Sequence, residues 1–277
     1  MSSERNVTSL ELSSDVVRVL QLTDTHLCPE HGGTLLGMDT DHSLQAVIDL
    51  AKRERDGVDV VLGTGDLSDS GAAGAYQRLC DYFNQFDCAS YWLPGNHDYR
   101  ERMDAAAQDG QLASELRAGN WQILLLDSQI PGEVGGELGR AELDRLAQAL
   151  QHAKEQGLHT LVCLHHHPVE IGCRWLDEQI VADAGEFFAV LGRYDSVRAV
   201  LWGHVHQEID RLHGDVRLLA SPSTCVQFAA GSDNFRADDQ PPGYRWLDLH
   251  PDGRVETGVS RVRDVKFNVD LDSGGYL

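Results

Sequence analysis

The stretch VVRVLQLTDTH, residues 16–26, is an apolar run that ends in a cluster of polar, metal-competent side chains. Val16–Leu22 reads as a buried β-strand, short and rich in β-branched residues. Thr23, Asp24, Thr25 and His26 follow at once. The same arrangement returns four times. VDVVLG (58–63) leads into Thr64, Gly65, Asp66, Leu67, Ser68 and Asp69, and YWL (91–93) into Pro94, Gly95, Asn96, His97 and Asp98. TLVCL (160–164) leads into His165, His166, His167 and Pro168, and AVLW (199–202) into Gly203, His204, Val205 and His206. In α/β folds, ligands gather at the carboxyl ends of strands. Five strand ends would thus deliver Asp, His and Asn to one edge of a sheet. A lone histidine is more often a hydrogen-bonded core or surface residue than a ligand. Five clusters at equivalent places are not readily produced by chance.

Between these strands the chain reads as helix. Leu44, Val47, Ile48 and Ala51 recur at helical spacing, with Thr40 or Asp41 as the cap. Ala72–Asn84, Ala141–Gln156 and Asp177–Leu191 are further helices, and Ile123–Leu126 is a strand. Past Trp202 the pattern becomes β-rich. Arg217–Ala220, Thr224–Phe228, Tyr244–Leu249 and Val255–Val259 are strands separated by Gly, Pro and Asp turns. The pattern is α/β in one domain, with Asp270–Leu277 a flexible tail.

Composition narrows the function. The 277 residues carry 44 acidic and 23 basic side chains, a formal charge of −21. Such a surface repels duplex nucleic acid and anionic membranes, but a small anionic substrate can bind where metal ions supply local positive charge. No apolar run approaches the ~18–20 residues of a membrane helix. The first residues lack a signal-peptide pattern, so a cytoplasmic location is expected. The six cysteines form no CxxC pair and read as reduced core residues. Mixed imidazole, carboxylate and amide ligands suit Mn, Fe, Zn or Co better than a Cys-based structural zinc.

The order Asp24-x-His26, Gly65-Asp66-x-x-Asp69, Gly95-Asn96-His97-Asp98, His166-x-Pro168, Gly203-His204-x-His206 resembles the calcineurin-like metallophosphoesterase superfamily. Within it, Leu35-Leu36-Gly37, the segment from His165 to Asp177, and Ser221–Phe228 look like the bacterial class III 3′,5′-cyclic-AMP phosphodiesterases. The resemblance implies a four-layer α/β/β/α sandwich of two mixed sheets flanked by helices, over about 15–260. It implies two divalent or mixed-valence metal ions, iron or manganese, with zinc or cobalt as alternatives. Asp24, His26 and His206 would hold the first, and Asn96, His166 and His204 the second, with Asp66 bridging. His166 is chosen because the family ligand stands two residues before the proline, which leaves His165 or His167 a supporting role.

The resemblance also implies hydrolysis of 3′,5′-cyclic AMP to 5′-AMP by a hydroxide held between the metals, attacking opposite the ribose 3′ oxygen. Asn96 and His97 would contact the phosphate, His97 would protonate the leaving oxygen, and the Asp69 carboxylate would orient His97. A broader phosphoesterase acting on 2′,3′-cyclic nucleotides or phosphomonoesters shares the same metal chemistry. Asp98 reads as the cap of a helix over about 100–107. Trp175, Phe228 and Tyr99 are candidates for stacking on adenine, and the segment His31–Asp41 is a candidate cover of the site. The expected partner is a small cyclic nucleotide, not a nucleic acid or a membrane; the oligomeric state is open.

Overall fold

The five strand ends do meet at one edge, but they come from two sheets. The computed structural model describes residues 7–12, 14–108 and 110–275. Its first half contains β1 (Thr8–Ser9), β2 (Val17–Leu22), β3 (Thr34–Leu35), β4 (Met38–Asp39), α1 (Thr40–Glu54), β5 (Val60–Thr64), α2 (Ala73–Phe83), β6 (Ala89–Leu93), α3 (Arg100–Ala106), β7 (Glu115–Ala118) and β8 (Trp121–Leu125). The second half contains α4 (Gly139–Gln156), β9 (His159–Cys163), α5 (Arg174–Asp177), α6 (Ala184–Leu191), β10 (Val197–Trp202), β11 (Ile209–His213), β12 (Val216–Ala220), β13 (Gln227–Phe228), β14 (Ala237–Asp238), β15 (Gly243–Leu249) and β16 (Val255–Arg261).

A five-stranded sheet runs β16-β15-β2-β5-β6, and a seven-stranded sheet runs β1-β7-β8-β9-β10-β12-β11. Both are mixed: β2, β5 and β6 are parallel with antiparallel β15 beside them, and β8, β9, β10 and β12 are parallel with antiparallel β7 and β11 outside. The sheets face each other across a layer that includes Val17, Val19 and Leu62 from one and Ile123, Leu161 and Leu201 from the other. Leu20, Leu22 and Val61 point the opposite way, onto Leu44, Val47 and Ile48 of α1 and Leu79 and Phe83 of α2. Leu124, Val162 and Val200 meet Leu143, Leu146 and Leu150 of α4 and Phe187 of α6. The result is the expected α/β/β/α sandwich. Burial of both faces of each central strand explains why they read as unbroken apolar runs.

Several local expectations change. Asp39, not Thr40 or Asp41, caps α1: its carboxylate accepts from His42 N at 2.9 Å. The helix expected over Asp177–Leu191 is split. Val181 N donates to His167 O, Ala182 N to Gly136 O, and the Asp183 carboxylate accepts from Leu138 N and Gly139 N, so this stretch spends its polar groups on neighbouring loops. Only Gln227–Phe228 of the expected strand over 224–228 pairs, because Thr224 N donates to Thr23 O and Cys225 N to Ser223 Oγ beside the site. The 31–41 segment forms the β3–β4 hairpin, whose Leu35 and Met38 pack on Cys225, Val226 and Ala237. The expected tail starts with Asp270 N donating to Leu36 O at 2.7 Å, and Tyr276 and Leu277 lie outside the described residues. All six cysteines are free thiols.

Two buried polar side chains tie the sheets together near the shared edge. Gln21 of β2 donates to Thr64 Oγ1 at 2.7 Å and across the layer to Trp202 O at 3.1 Å, while its carbonyl accepts from Ser221 Oγ. Arg245 of β15 donates to Ala220 O at 2.7 Å, Ile209 O at 3.1 Å and Ser221 Oγ at 3.2 Å. Burial pushes its guanidinium down to about 10, still charged at neutral pH. Gln21→Ala leaves several of these groups unpaired and should cost about 1–3 kcal/mol in urea unfolding. Leu212→Ser, at a side chain 72% exposed, should change stability by less than about 0.5 kcal/mol.

Candidate metal centre

Four of the five strands deliver a donor at the same place. Asp24, Asp66, His165 and His204 each stand two residues beyond the last residue of β2, β5, β9 and β10. Asn96 and His97 follow β6 in the loop before α3. The donor atoms of Asp24, His26 and His206 lie within 4.8 Å of one another, as do those of Asp24, Asp66 and His165, those of His165, His166 and His204, and those of His26, Asp66 and His97. The structure therefore gathers Asp24, His26, Asp66, His166, His204 and His206 from both sheets, with Asn96 Oδ1 3.2 Å from His165 Nε2.

The backbone is contorted to do this. Asp24, His26, Asp66, His204 and His206 all have positive φ, between 43° and 64°. Such conformations are uncommon for non-glycine residues and cost of order 1–3 kcal/mol each. Cross-bonds hold them: Asp24 N donates to Gly65 O, His26 N to Asp66 O, His204 N to Asp24 Oδ1 at 3.0 Å, and His97 N to Asp66 Oδ1 at 2.8 Å. Close approach demands glycine at two points. A Cβ on Gly95 would stand 2.2 Å from Asp66 Oδ1, and one on Gly203 would stand 2.2 Å from Thr23 Oγ1.

Hydrogen bonds orient the imidazoles. His206 Nδ1 faces Val226 O at 2.7 Å and His165 Nδ1 faces Thr64 O at 2.9 Å. A carbonyl partner requires the proton on Nδ1, which leaves the Nε2 lone pair for a metal. His165 Nε2 lies 3.2 Å from both Asp66 Oδ2 and Asn96 Oδ1. His166 is differently engaged. Its Nε2 faces Val134 O at 3.2 Å, and its Nδ1 accepts from Ser128 Oγ at 2.8 Å, so both ring nitrogens are spent. The geometry thus favours His165 where counting back from Pro168 selects His166. His167 stacks on His204, with ring centroids 5.7 Å apart.

Electrostatics favour a cation here. Burial pushes the Asp66 carboxyl up, but His165, His97 and His26 outweigh it and hold it well below the usual range. Burial likewise opposes the charge on Asp24, and His206 outweighs it. Against its own burial, His165 is pushed up to about 9 by the Asp66 carboxylate. Burial and the neighbouring His166 hold His204 neutral, and its Nε2 has no hydrogen-bond partner among the described residues. The ion pairs of Asp24 and Asp66 are all with histidines; among the described residues no lysine or arginine joins them. Two buried carboxylates among neutral-capable imidazoles, with His204 Nε2 left without a hydrogen bond among the described residues, fit divalent metal ions.

Asp69 and Asp98 act differently from expectation. His97 Nδ1 lies 2.9 Å from the backbone carbonyl of Asp69, whereas the Asp69 carboxylate lies 3.6 Å from His26 Nδ1. Asp69 thus meets His97 through its main chain. Asp98 does not cap α3, which starts after Tyr99 without a side-chain cap. Its buried carboxylate accepts from Gly95 N, Leu67 N, Ser68 N and Tyr76 Oη and clamps the Asp66 loop to the Asn96 loop. Burial and the Asp66 charge push it up to about 6. Gln129 grips the same loop, donating to Gly95 O and Asp98 O at 2.6 Å each. Neither contact had a sequence signal beyond polarity.

Two mixed sheets between helices, with carboxylate, imidazole and amide donors at their common edge, define a metal-dependent phosphoesterase. The model of the calcineurin-like phosphoesterase family matches residues 17–208, and the chain belongs to that family. The chain is 47% identical over 277 residues to the 3′,5′-cyclic adenosine monophosphate phosphodiesterase CpdA of Pseudomonas aeruginosa, covering 100% of both chains. It is 43% identical over 263 residues to the Escherichia coli K12 protein of the same name, covering 94% of this chain and 95% of that one. A dimetal phosphatase from Danio rerio shares the fold, with a TM-score of 0.65, 14% identity, and coverage of 94% of this chain and 100% of the other.

Two predictions follow from the geometry. His165→Ala should weaken Mn²⁺ binding by at least ~10-fold, and His166→Ala by less, in calorimetric titration of metal-depleted protein; equal losses would return the choice to either ring. Asp98→Ala strands four buried donors. It should cost about 3 kcal/mol in denaturant unfolding.

Proposed function

We propose that this chain is a metal-dependent phosphodiesterase that hydrolyses 3′,5′-cyclic AMP to 5′-AMP in the cytoplasm, using two metal ions, iron or manganese. The observation that carries this reading is the full-length likeness, at 47% identity, to a protein with that named activity, joined to the donor set at the sheet edge. Among the described residues, no helix is long and apolar enough to cross a membrane. Asp24, His26 and His206 would hold one ion, Asn96, His165 and His204 the other, and Asp66 would bridge. Such ions supply a nucleophile at neutral pH and positive charge for the phosphoryl oxygens.

The chain's own residues set up the rest. Asn96 and His97 line a cleft of ≈ 360 Å³ beside His204, where a phosphate can lie against the donors. The Asn96 amide can donate to a phosphoryl oxygen. His97 donates from Nδ1 to the Asp69 carbonyl, which points Nε2 elsewhere; when protonated, Nε2 can give its proton to the departing ribose 3′ oxygen. That transfer spares the ring from expelling a free alkoxide.

The test is hydrolysis by metal-depleted protein with and without added Mn²⁺ or Fe²⁺, comparing 3′,5′-cyclic AMP, 2′,3′-cyclic AMP and p-nitrophenyl phosphate. Metal-dependent formation of 5′-AMP, with the first substrate preferred, is the expected result. Turnover of only the other two would keep the metal chemistry and remove the cyclic AMP assignment. His97→Ala should lower kcat by about 10²–10⁴-fold with metal content unchanged by elemental analysis; loss of metal would make His97 a ligand.

A further inference from the structure

The cleft beside the metal donors has a second wall of another character. Asn96, His97 and His204 form its polar side, and Trp175, Gln179 and Phe235 form the side opposite in chemistry. We propose that the rings of Trp175 and Phe235 and the side-chain amide of Gln179 form the subsite for the adenine base of the nucleotide. This assignment rests on the cyclic-nucleotide reading above and adds the residues that would discriminate between substrates.

The aromatic wall packs against one of the expected metal donors. Phe228 stacks on the donor His206, with centroids 4.0 Å apart and planes within 8°. Trp175 and Phe235 pack edge-on against Phe228, at 5.2 Å and 5.5 Å, and against each other at 5.3 Å. Trp175 Nε1 donates to Ser232 Oγ at 3.2 Å, which sets the angle of its indole. One ring layer therefore separates a metal ligand from the two half-buried aromatics. Phe228 also borders the cleft but is almost fully buried under the other two rings, so Trp175 and Phe235 are the half-buried rings that offer it most surface. Tyr99, the other aromatic expected near the base, is absent from this lining and sits under the Arg102 guanidinium.

Gln179 supplies the polar edge. Its backbone N–H is spent on Leu176 O, while its side-chain amide has no hydrogen-bond partner among the described residues. A glutamine amide offers one donor beside one acceptor, which matches the N6 amino group of adenine beside N7 or N1. Aromatic rings stack on any base, and the amide favours a base with that paired edge. The cleft volume, ≈ 360 Å³, is in the range of sites for one small ligand. Gly274 and Gly275 border the same cleft, and with no side chains they leave the base room.

The deciding experiment is calorimetric binding of 5′-AMP and of ribose 5-phosphate to the Mn²⁺-loaded protein. These ligands share the phosphate and sugar and differ by the base. The wild-type protein should prefer 5′-AMP by roughly 10-fold or more. Trp175→Ala and Gln179→Leu should each remove most of that preference and leave ribose 5-phosphate unchanged, while Trp175→Phe keeps most of it. In assays with 3′,5′-cyclic AMP the two former variants should raise KM. Gln179→Leu removes no internal hydrogen bond, so it carries the test if Trp175→Ala fails to fold. Equal binding of the two ligands by the wild type, or equal weakening of both by the variants, would overturn the subsite. A clear preference for 5′-AMP without hydrolysis of cyclic AMP would leave the subsite standing and remove the activity assigned above.

Discussion

The structure depends on holding five donor residues in a backbone conformation they would not choose. Asp24, His26, Asp66, His204 and His206 take left-handed φ values, and only Leu36 does so elsewhere among described non-glycine residues. Asp24, Asp66 and His204 take this conformation two residues beyond a strand end, and His26 and His206 two residues later. Several such turns, from two sheets, converge on one volume. The strain persists because surrounding groups over-determine the loops. Asp98 clamps two of them, Gln21 and Arg245 hold the sheets in register, and Gly95 and Gly203 admit contacts that a Cβ would block.

Charge follows from the same packing. The chain carries a formal −21, yet a cyclic nucleotide is itself an anion. The donor site places Asp24 and Asp66 at nearly complete burial, ringed by imidazoles rather than by lysine or arginine. Histidines alone satisfy those carboxylates only by taking protons, as His165 does under the influence of Asp66. A divalent ion does so without a proton and turns a locally negative site into one that attracts a phosphate. Such a site can admit a small anionic phosphodiester despite the acidic composition of the chain.

Much of the centre was legible because strand and ligand are adjacent in sequence. The apolar runs mark the strands, and the residues just past them mark the shared edge. The triple histidine shows the limit of that logic. Counting back from Pro168 selects His166, whereas counting two residues forward from the end of β9 selects His165, as it does for Asp24, Asp66 and His204 at their own strands. The forward count has a physical reason: the last paired residue sets the height of the edge, and the turn that follows sets where a side chain lands. The break in the expected helix over 177–191 had no such marker, because Asp183 and Ala182 bond to Gly136–Gly139, distant in sequence.

By itself the sequence determined the α/β alternation and placed metal-competent side chains at the strand ends. These depend on local pattern: residue type, apolar periodicity and spacing from strand ends. Only the tertiary structure decided that the strand ends belong to two facing sheets and that Asp98 is a clamp and not a cap. It also decided that Asp69 meets His97 through its carbonyl, and that of the three neighbouring imidazoles it is His165 that turns Nε2 toward Asp66 and Asn96. Each of these depends on hydrogen bonds and rings brought together from distant parts of the chain. The same holds for the cleft, where Trp175, Gln179 and Phe235 stand beside Asn96 and His97.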